Sequence, residues 1–190
     1  MKLETPWGKL ENKEKMMIDN ADAVNFALAL AHIWLGFMIF AHGWKHVKAL
    51  KSGPGMAQWF ESLGLRPGTL HALLVTLTEL GVGVVLILGL LTPLAYGGLC
   101  ALMLVAAITA HGKNGFFTDS QPPGWEYPGT IALLSIALGT LGSGQWSLDH
   151  VLKLEFPFDP QKALVITAAL GILGAALFLI TFWRPAKKAP

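Results

Sequence analysis

Long, almost uninterrupted apolar runs set the pattern of the chain. Five of them approach the roughly 20 apolar residues that a helix needs to cross a lipid bilayer. They cover residues 24–45, 69–91, 94–111, 127–143 and 162–183, and the fourth is the shortest. The pattern therefore predicts an all-α fold, an integral membrane bundle of helices that crosses the bilayer several times.

The segments between the runs predict how the helices are connected. Residues 92–93 join the second and third runs so tightly that those helices are expected to be antiparallel neighbours. The connection at 46–68 contains MAQWFESLGL between the turn-forming sequences SGPG and RPG. Helical spacing places Trp59, Phe60 and Leu63 on one side of this short stretch, so we expect a helix that lies along the membrane interface.

Composition agrees with a membrane protein and excludes several other classes. Hydrophobic residues make up 53% of the chain and charged residues 14%, whereas soluble domains carry about 25% charged residues. The net charge of +2 gives no strongly basic face, so no nucleic-acid partner is expected. The single cysteine, Cys100, cannot form an internal disulfide or a CxxC site.

Residues 1–23 are predicted to be a retained polar tail. They mix lysines with acidic residues and lack the basic start, apolar stretch and small-residue cleavage site of a secretory signal peptide. Lysines and arginines are almost equally divided between the two sides of a five-helix arrangement, so the positive-inside rule assigns no orientation.

Glu79 is the clearest candidate for a functional residue inside a run. It lies near the predicted bilayer midplane, where ionisable groups cost about 2.5–3.5 kcal/mol on insertion scales. Counting along the antiparallel first two runs places His32 at a similar depth, so a pair between these two side chains is one interpretation. Glu79 is assigned to binding or proton handling, with a hydrogen-bonded structural acid as the alternative, whereas His32 is interpreted as a core histidine.

A second group of polar residues is predicted at one face of the bundle. His42, Lys45 and His46 share a helix face because they are spaced i, i+3, i+4. A pocket with a polar mouth, an apolar body and Glu79 at depth is predicted there, and His42 joins Glu79 as a candidate for proton handling. The alternative is that Lys45 and the histidines reach out to lipid headgroups. The predicted ligand-binding residues are His42, Lys45, His71, Glu79, His111, Asn114, Phe116, Phe117, Glu126 and Tyr127.

Other familiar chemistries find little support in the sequence. His42 and His111 at similar depth fit the axial-ligand requirement of haem b, but histidines at helix ends are common without haem, so haem b is not expected. No residue set requires a zinc site, and none is predicted. The sequence also has no Gly-rich phosphate loop, no nucleophile elbow and no HExxH motif.

Four stretches of the sequence resemble the DoxX family of small bacterial membrane proteins. They are HGWKH, the Glu79 helix ending in GLLTPLA, HGKNGFF, and the closing GSGQWSLD. The resemblance extends over about residues 24–149 as a pattern spread along the chain. It implies a bundle of four membrane helices, and it lends weight to the residues that match the family's polar positions, namely His42, Lys45, Glu79, His111 and Glu126.

The resemblance also divides the chain and implies a cellular setting. Residues 24–149 form the DoxX-like bundle, residues 1–23 the polar tail, and residues 150–190 depart from the family with a loop, a fifth transmembrane helix and a short basic C-terminus. Some family members are linked to thiosulfate:quinone oxidoreductase and others to oxidative-stress complexes with soluble redox enzymes. A multi-pass protein of the bacterial inner membrane is therefore expected.

Three functions fit these observations. The first is a subunit of a quinone-linked redox or oxidative-stress system, with a quinone as its ligand and no other cofactor evident. The second is a non-catalytic membrane anchor or scaffold for a soluble partner. The third is a small proton or solute transporter, a hypothesis that rests on the predicted position of Glu79 and His32 at mid-depth in the membrane. Membrane lipid is an expected partner in every case, together with a redox complex or a second copy of the chain.

Overall fold

The computed structural model describes residues 21–154 and 159–185 of the chain, so the predicted polar tail lies outside the described residues except at 21–23. The described part contains no β-sheet, and the predicted all-α class is confirmed. Its helices are α1 (Ala21–Lys51), α2 (Gly55–Ser62), α3 (Gly68–Ile87), α4 (Thr92–Ala106, continued by a π-helical turn over Ala107–His111), α5 (Glu126–Leu141), α6 (Leu148–Val151) and α7 (Pro160–Phe182).

Four of these helices, α1, α3, α4 with its π-helical turn, and α7, are long and apolar enough to cross a membrane. They confirm four of the predicted runs. Helix α1 is longer than its run, since its 31 residues extend beyond the run at both ends and span about 46 Å. Helix α5 coincides with the shortest run, but its 16 residues span only about 24 Å, against a hydrocarbon core of about 30 Å. A crossing by α5 stays a prediction, as does the division of the chain at residues 23 and 149.

Helices α1 and α3 cross at a distance that only glycine allows. A Cβ atom on Gly36 would lie 2.7 Å from the carbonyl oxygen of Gly83, and one on Gly83 would lie 2.7 Å from the Cβ of Phe40. Farther along, a Cβ on Gly43 would lie 3.0 Å from the Cβ of Glu79. Small residues let membrane helices approach closely, so these glycines fix the register of α1 against α3.

Helix α7 is packed into the bundle against α4 and α5. A Cβ on Gly97 in α4 would lie 2.8 Å from the Cβ of Leu170, and one on Gly139 in α5 would lie 2.6 Å from the Oγ1 of Thr167. The helix that departs from the DoxX pattern is therefore part of the core arrangement. The buried apolar core between α1, α3, α4 and α5 consists of Leu35, Ile39, Leu86, Ala95, Tyr96, Leu99, Cys100, Met103, Ile131 and Ala132.

The GSGQWSLD stretch closes the end of the bundle at which α1 begins. The carboxylate of Asp149 is buried and accepts hydrogen bonds from the backbone amides of Leu91 and Thr92, at 2.8 and 3.1 Å, and from the Thr92 hydroxyl at 3.0 Å. It thus satisfies amide groups at the first turn of α4, which have no partner within the helix. The side chain of Asn25 in α1 exchanges two hydrogen bonds with Gln145 of the same stretch. A structural role accounts for this part of the resemblance.

The short helix predicted between the first two runs is present as α2, and the end of α7 holds it in place; its position at the membrane interface stays a prediction. Phe60 of α2 is buried whereas Trp59 is 48% exposed, as expected of a helix with one face on the bundle. The indole nitrogen of Trp183 donates a hydrogen bond to the carbonyl oxygen of Leu63 at 2.9 Å. The amide of Arg184 donates to the carbonyl oxygen of Gly64 at 2.8 Å, so α7 is joined to the segment between α2 and α3.

The close contact between α1 and α3 at Gly83 can be tested with substitutions at two positions of α3, Gly81 and Gly83. We expect Gly83→Ala to lower the free energy of unfolding by about 1–3 kcal/mol, because the new methyl group meets α1 and forces the helices apart. Gly81→Ala is the matched control, since a Cβ there meets no atom within 4 Å. The free energy of unfolding of both variants is measured by reversible unfolding in mixed micelles. Equal losses in the two variants would show that the close crossing does not support the fold.

Candidate functional site

A cavity of about 160 Å³ lies between the helices near α2. Six of the helices contribute to its wall, and most of the lining side chains are apolar. The polar side chains in the wall are few and come from different helices, an arrangement typical of sites for small amphipathic ligands. The lining residues are Met38, Ile39, His42, His46, Trp59, Phe60, Leu63, Leu65, Val75, Glu79, Leu102, Met103, Val105, Ala106, Thr109, Ala110, His111, Tyr127, Ile131 and Phe178.

Glu79 and His46 form a polar pair in the wall of this cavity. The Nδ1 atom of His46 lies 2.7 Å from the Oε2 atom of Glu79, and neither atom has another hydrogen-bond partner among the described residues. A contact this short needs a proton between the nitrogen and the oxygen. Glu79 is nearly enclosed, with 7% of its side chain exposed, while His46 is 24% exposed. The pair therefore connects the interior of the bundle with a more accessible imidazole.

The interpretation that Glu79 pairs with His32 is wrong. The Nδ1 atom of His32 lies 2.8 Å from the hydroxyl of Tyr96, and His32 sits about 21 Å from His46 along α1. Equal depth requires the start of α1 to be level with the end of α3, whereas Ile87, the last residue of α3, lies beside Gly36 in the middle of α1. The register is set instead by Gly43 against Glu79, which places the next turn of α1, and with it His46, beside the carboxylate.

His111 and Tyr127 form a second polar pair in the same wall. The Nδ1 atom of His111 lies 2.9 Å from the carbonyl oxygen of Pro123, so Nδ1 carries the hydrogen and donates it. In the neutral ring Nε2 is then an acceptor, and the Tyr127 hydroxyl donates to it at 3.1 Å. Glu79, His46, His111 and Tyr127 all line the same cavity, so the two pairs face one space.

The structure brings four of the ten predicted ligand-binding residues into the cavity wall: His42, Glu79, His111 and Tyr127. Lys45 is exposed and is not part of the wall. His71 is fully buried elsewhere, between the rings of Phe178 and Phe182, and its Nε2 donates a long hydrogen bond of 3.4 Å to the carbonyl oxygen of Arg66. That any of these residues binds a ligand stays a prediction.

The other predicted residues lie in the loop between α4 and α5 or, in the case of Glu126, at the start of α5, and none of them lines the cavity. Asn114 donates from its amide to the carbonyl oxygens of Ala110 and Pro123, which shapes the loop around His111. A carboxylate oxygen of Glu126 accepts from the amide of Thr118 at 3.0 Å. Phe116 and Phe117 are exposed and stack edge-on with each other. The side chains of Asn114 and Glu126 thus shape the loop that leads from His111 to α5.

Several wall residues were missed by the sequence prediction. His46 had been placed on the same helix face as His42 but was not selected, although its i, i+4 spacing was a usable signal. Met38 and Met103 resemble ordinary core residues in the sequence, and nothing there singles them out. Phe178 comes from α7, a helix whose packing partners the sequence does not reveal. Within the described ranges, no three His, Cys, Asp or Glu side chains converge as a metal site would require.

Comparison with known proteins supplies one finding. The family model described as DoxX matches residues 27–112, which run from the first turns of α1 to the end of the π-helical turn. No curated protein and no solved structure matches the chain. The matched region contains His42, His46, Glu79 and His111, while Tyr127, Ile131 and Phe178 of the cavity wall lie beyond it.

The contact between His46 and Glu79 can be measured with a double-mutant cycle of unfolding free energies. We expect His46→Leu or Glu79→Leu alone to cost about 3 kcal/mol, the low end for one partner of a buried pair, because His46 is partly exposed. The double variant should cost less than the sum of the two, by roughly 1–3 kcal/mol. The exposed pair Lys162 and Asp159 is the control, with a coupling of about 0–1 kcal/mol. Additive losses at His46 and Glu79 would contradict the pairing.

Proposed function

Because the chain belongs to the DoxX family, whose model matches residues 27–112, we propose that this integral membrane protein is a subunit of a quinone-linked redox or oxidative-stress system. Its cavity binds the ring of a membrane quinone. The observation that carries the proposal is the presence of two proton-bearing pairs, His46 with Glu79 and His111 with Tyr127, in the wall of one mainly apolar cavity.

The cavity suits the ring of a membrane-dissolved molecule. Its body is formed by apolar side chains such as Ile39, Leu65 and Ile131, which favour a ring over water. His42 and Trp59 line it and are exposed to the surroundings, so the cavity is open on the side of α2. A ligand with a polar ring and an apolar tail can reach it from the lipid interface, where an amphipathic helix such as α2 is expected to lie.

The polar pairs supply what the ring oxygens require. Conversion between quinone and quinol moves protons together with electrons, so residues that hold a proton near each oxygen assist the exchange. Glu79 and His46 hold one proton in their 2.7 Å contact, and the partly exposed imidazole gives that proton a route towards the surface. The Tyr127 hydroxyl donates to His111, and its oxygen lone pairs remain available to accept a hydrogen bond from a ligand.

A protein partner completes the proposed system. The family resemblance implies soluble redox enzymes as partners, and we assign to them the exchange of electrons with the bound ring. The contribution of this chain is then to bind and orient the ring at the membrane interface and to manage its protons. The bacterial inner membrane is the setting that the same resemblance implies.

The proposal is tested by quinol binding to the purified protein in detergent. Two short-tailed quinols are used, one with a single ring and one with two fused rings, so that the outcome does not depend on ring size. We expect Glu79→Gln and His46→Ala each to weaken binding of the preferred quinol by about tenfold or more, because each removes one partner of a hydrogen-bonded site. Anaerobic equilibrium dialysis measures the affinity.

Lys45→Ala is the matched control, because Lys45 neighbours His46 on α1 but lies outside the cavity wall. We expect it to leave the affinity unchanged. Absence of binding for both quinols, or equal losses in Lys45→Ala and His46→Ala, would remove the quinone proposal. If the protein then still co-purified with a soluble partner from native membranes, the anchor or scaffold function would take its place.

A further inference from the structure

The size of the cavity limits the ring that it can hold. Its volume is about 160 Å³, and an apolar cavity of about 150 Å³ is known to be large enough for benzene. One six-membered ring therefore fills most of the space. A second, fused ring does not fit within this volume, so it needs either movement of the wall or space on the open side of the cavity.

Part of the apolar wall, about one turn along α5 from Tyr127, is held by packed helices. Ile131 of α5 and Met103 of α4 are both buried, at 9% and 6% exposure, and both also belong to the apolar core of the bundle. Close contact between α5 and α7 at Gly139 and Thr167 restricts outward movement of α5. Because protein cores resist small changes of volume, the space beside Ile131 does not readily expand.

The polar groups limit the ring in a second way. His46 with Glu79 comes from α1 and α3, whereas His111 with Tyr127 comes from the end of α4 and the start of α5. Hydrogen bonds to both pairs would hold a ring along the line that joins its two oxygens. A fused ring then projects to one side of that line, so it needs free space beside the first ring.

We propose that the site selects single-ring quinols over fused two-ring quinols, and that Ile131 is a specificity-determining residue that excludes the second ring. This inference rests on the proposed function, since it names the class of quinol that the same cavity takes. Ile131 belongs to α5 and lies beyond residues 27–112, the region matched by the DoxX family model.

The test compares two probes that differ only by the fused ring, 2-methyl-1,4-benzohydroquinone and 2-methyl-1,4-naphthohydroquinone, kept reduced under anaerobic conditions. Equilibrium dialysis against the full chain in detergent gives both dissociation constants. We expect the single-ring probe to bind at least about tenfold more tightly to the unchanged protein. Ile131→Ala removes side-chain volume from the wall and should reduce this preference by about tenfold, mainly through tighter binding of the two-ring probe.

Ile136→Ala is the matched control, because it makes the same change in the same helix at a partly buried residue outside the cavity wall. It should leave the preference unchanged, and comparable melting temperatures of the two variants establish that both are folded. Equal binding of the two probes to the unchanged protein, or equal effects of the two variants, overturns the ring-size inference and leaves the quinone proposal standing. Binding of neither probe overturns both.

Discussion

The close crossing of α1 and α3 determines where every polar group of the cavity lies. Gly36 and Gly83 bring the two backbones together, and Gly43 leaves just enough room for the Cβ of Glu79. With the register fixed in this way, the carboxylate passes the bare surface of Gly43 and meets His46 on the next turn. A larger residue at Gly43 would push α3 away and separate the pair. The chemistry of the cavity therefore depends on a packing constraint that involves no polar atom.

The buried carboxylate of Glu79 bears on whether the polar pair stabilises the bundle or handles protons. An ionisable group inside a membrane protein is costly unless it has a partner, and Glu79 has one partner for its Oε2 atom among the described residues. Replacing the pair with apolar side chains is often neutral or stabilising in proteins. A stable bundle thus does not require Glu79, and the presence of the pair beside an open cavity favours a role in handling protons over a role in stability.

Apolar runs were sufficient to predict the helices, because length and hydropathy dictate which segments suit a bilayer. The direction of each side chain was harder to predict, since a rotation of the helix about its axis by less than one turn moves a residue out of the cavity wall. His42 and His46 are about 40° apart around the helix axis and both line the cavity, whereas Lys45 is turned about 60° the other way and faces outwards. His71 shows the same effect in α3. Its predicted depth says nothing of its rotation, and it faces the aromatic rings of α7.

The wall of the cavity combines residues 27–112, which the DoxX family model matches, with residues of α5 and α7, which lie beyond the match. The matched region contains the pair His46 with Glu79, and residues of α5 and α7 complete the wall of the cavity. Phe178 of α7 lines the cavity, and the hydrogen bond from Trp183 to the backbone of Leu63 fixes another lining segment. Because α5 and α7 supply part of the wall while α1 and α3 supply the pair His46 with Glu79, a change in the covering helices would alter the size of the cavity without removing that pair.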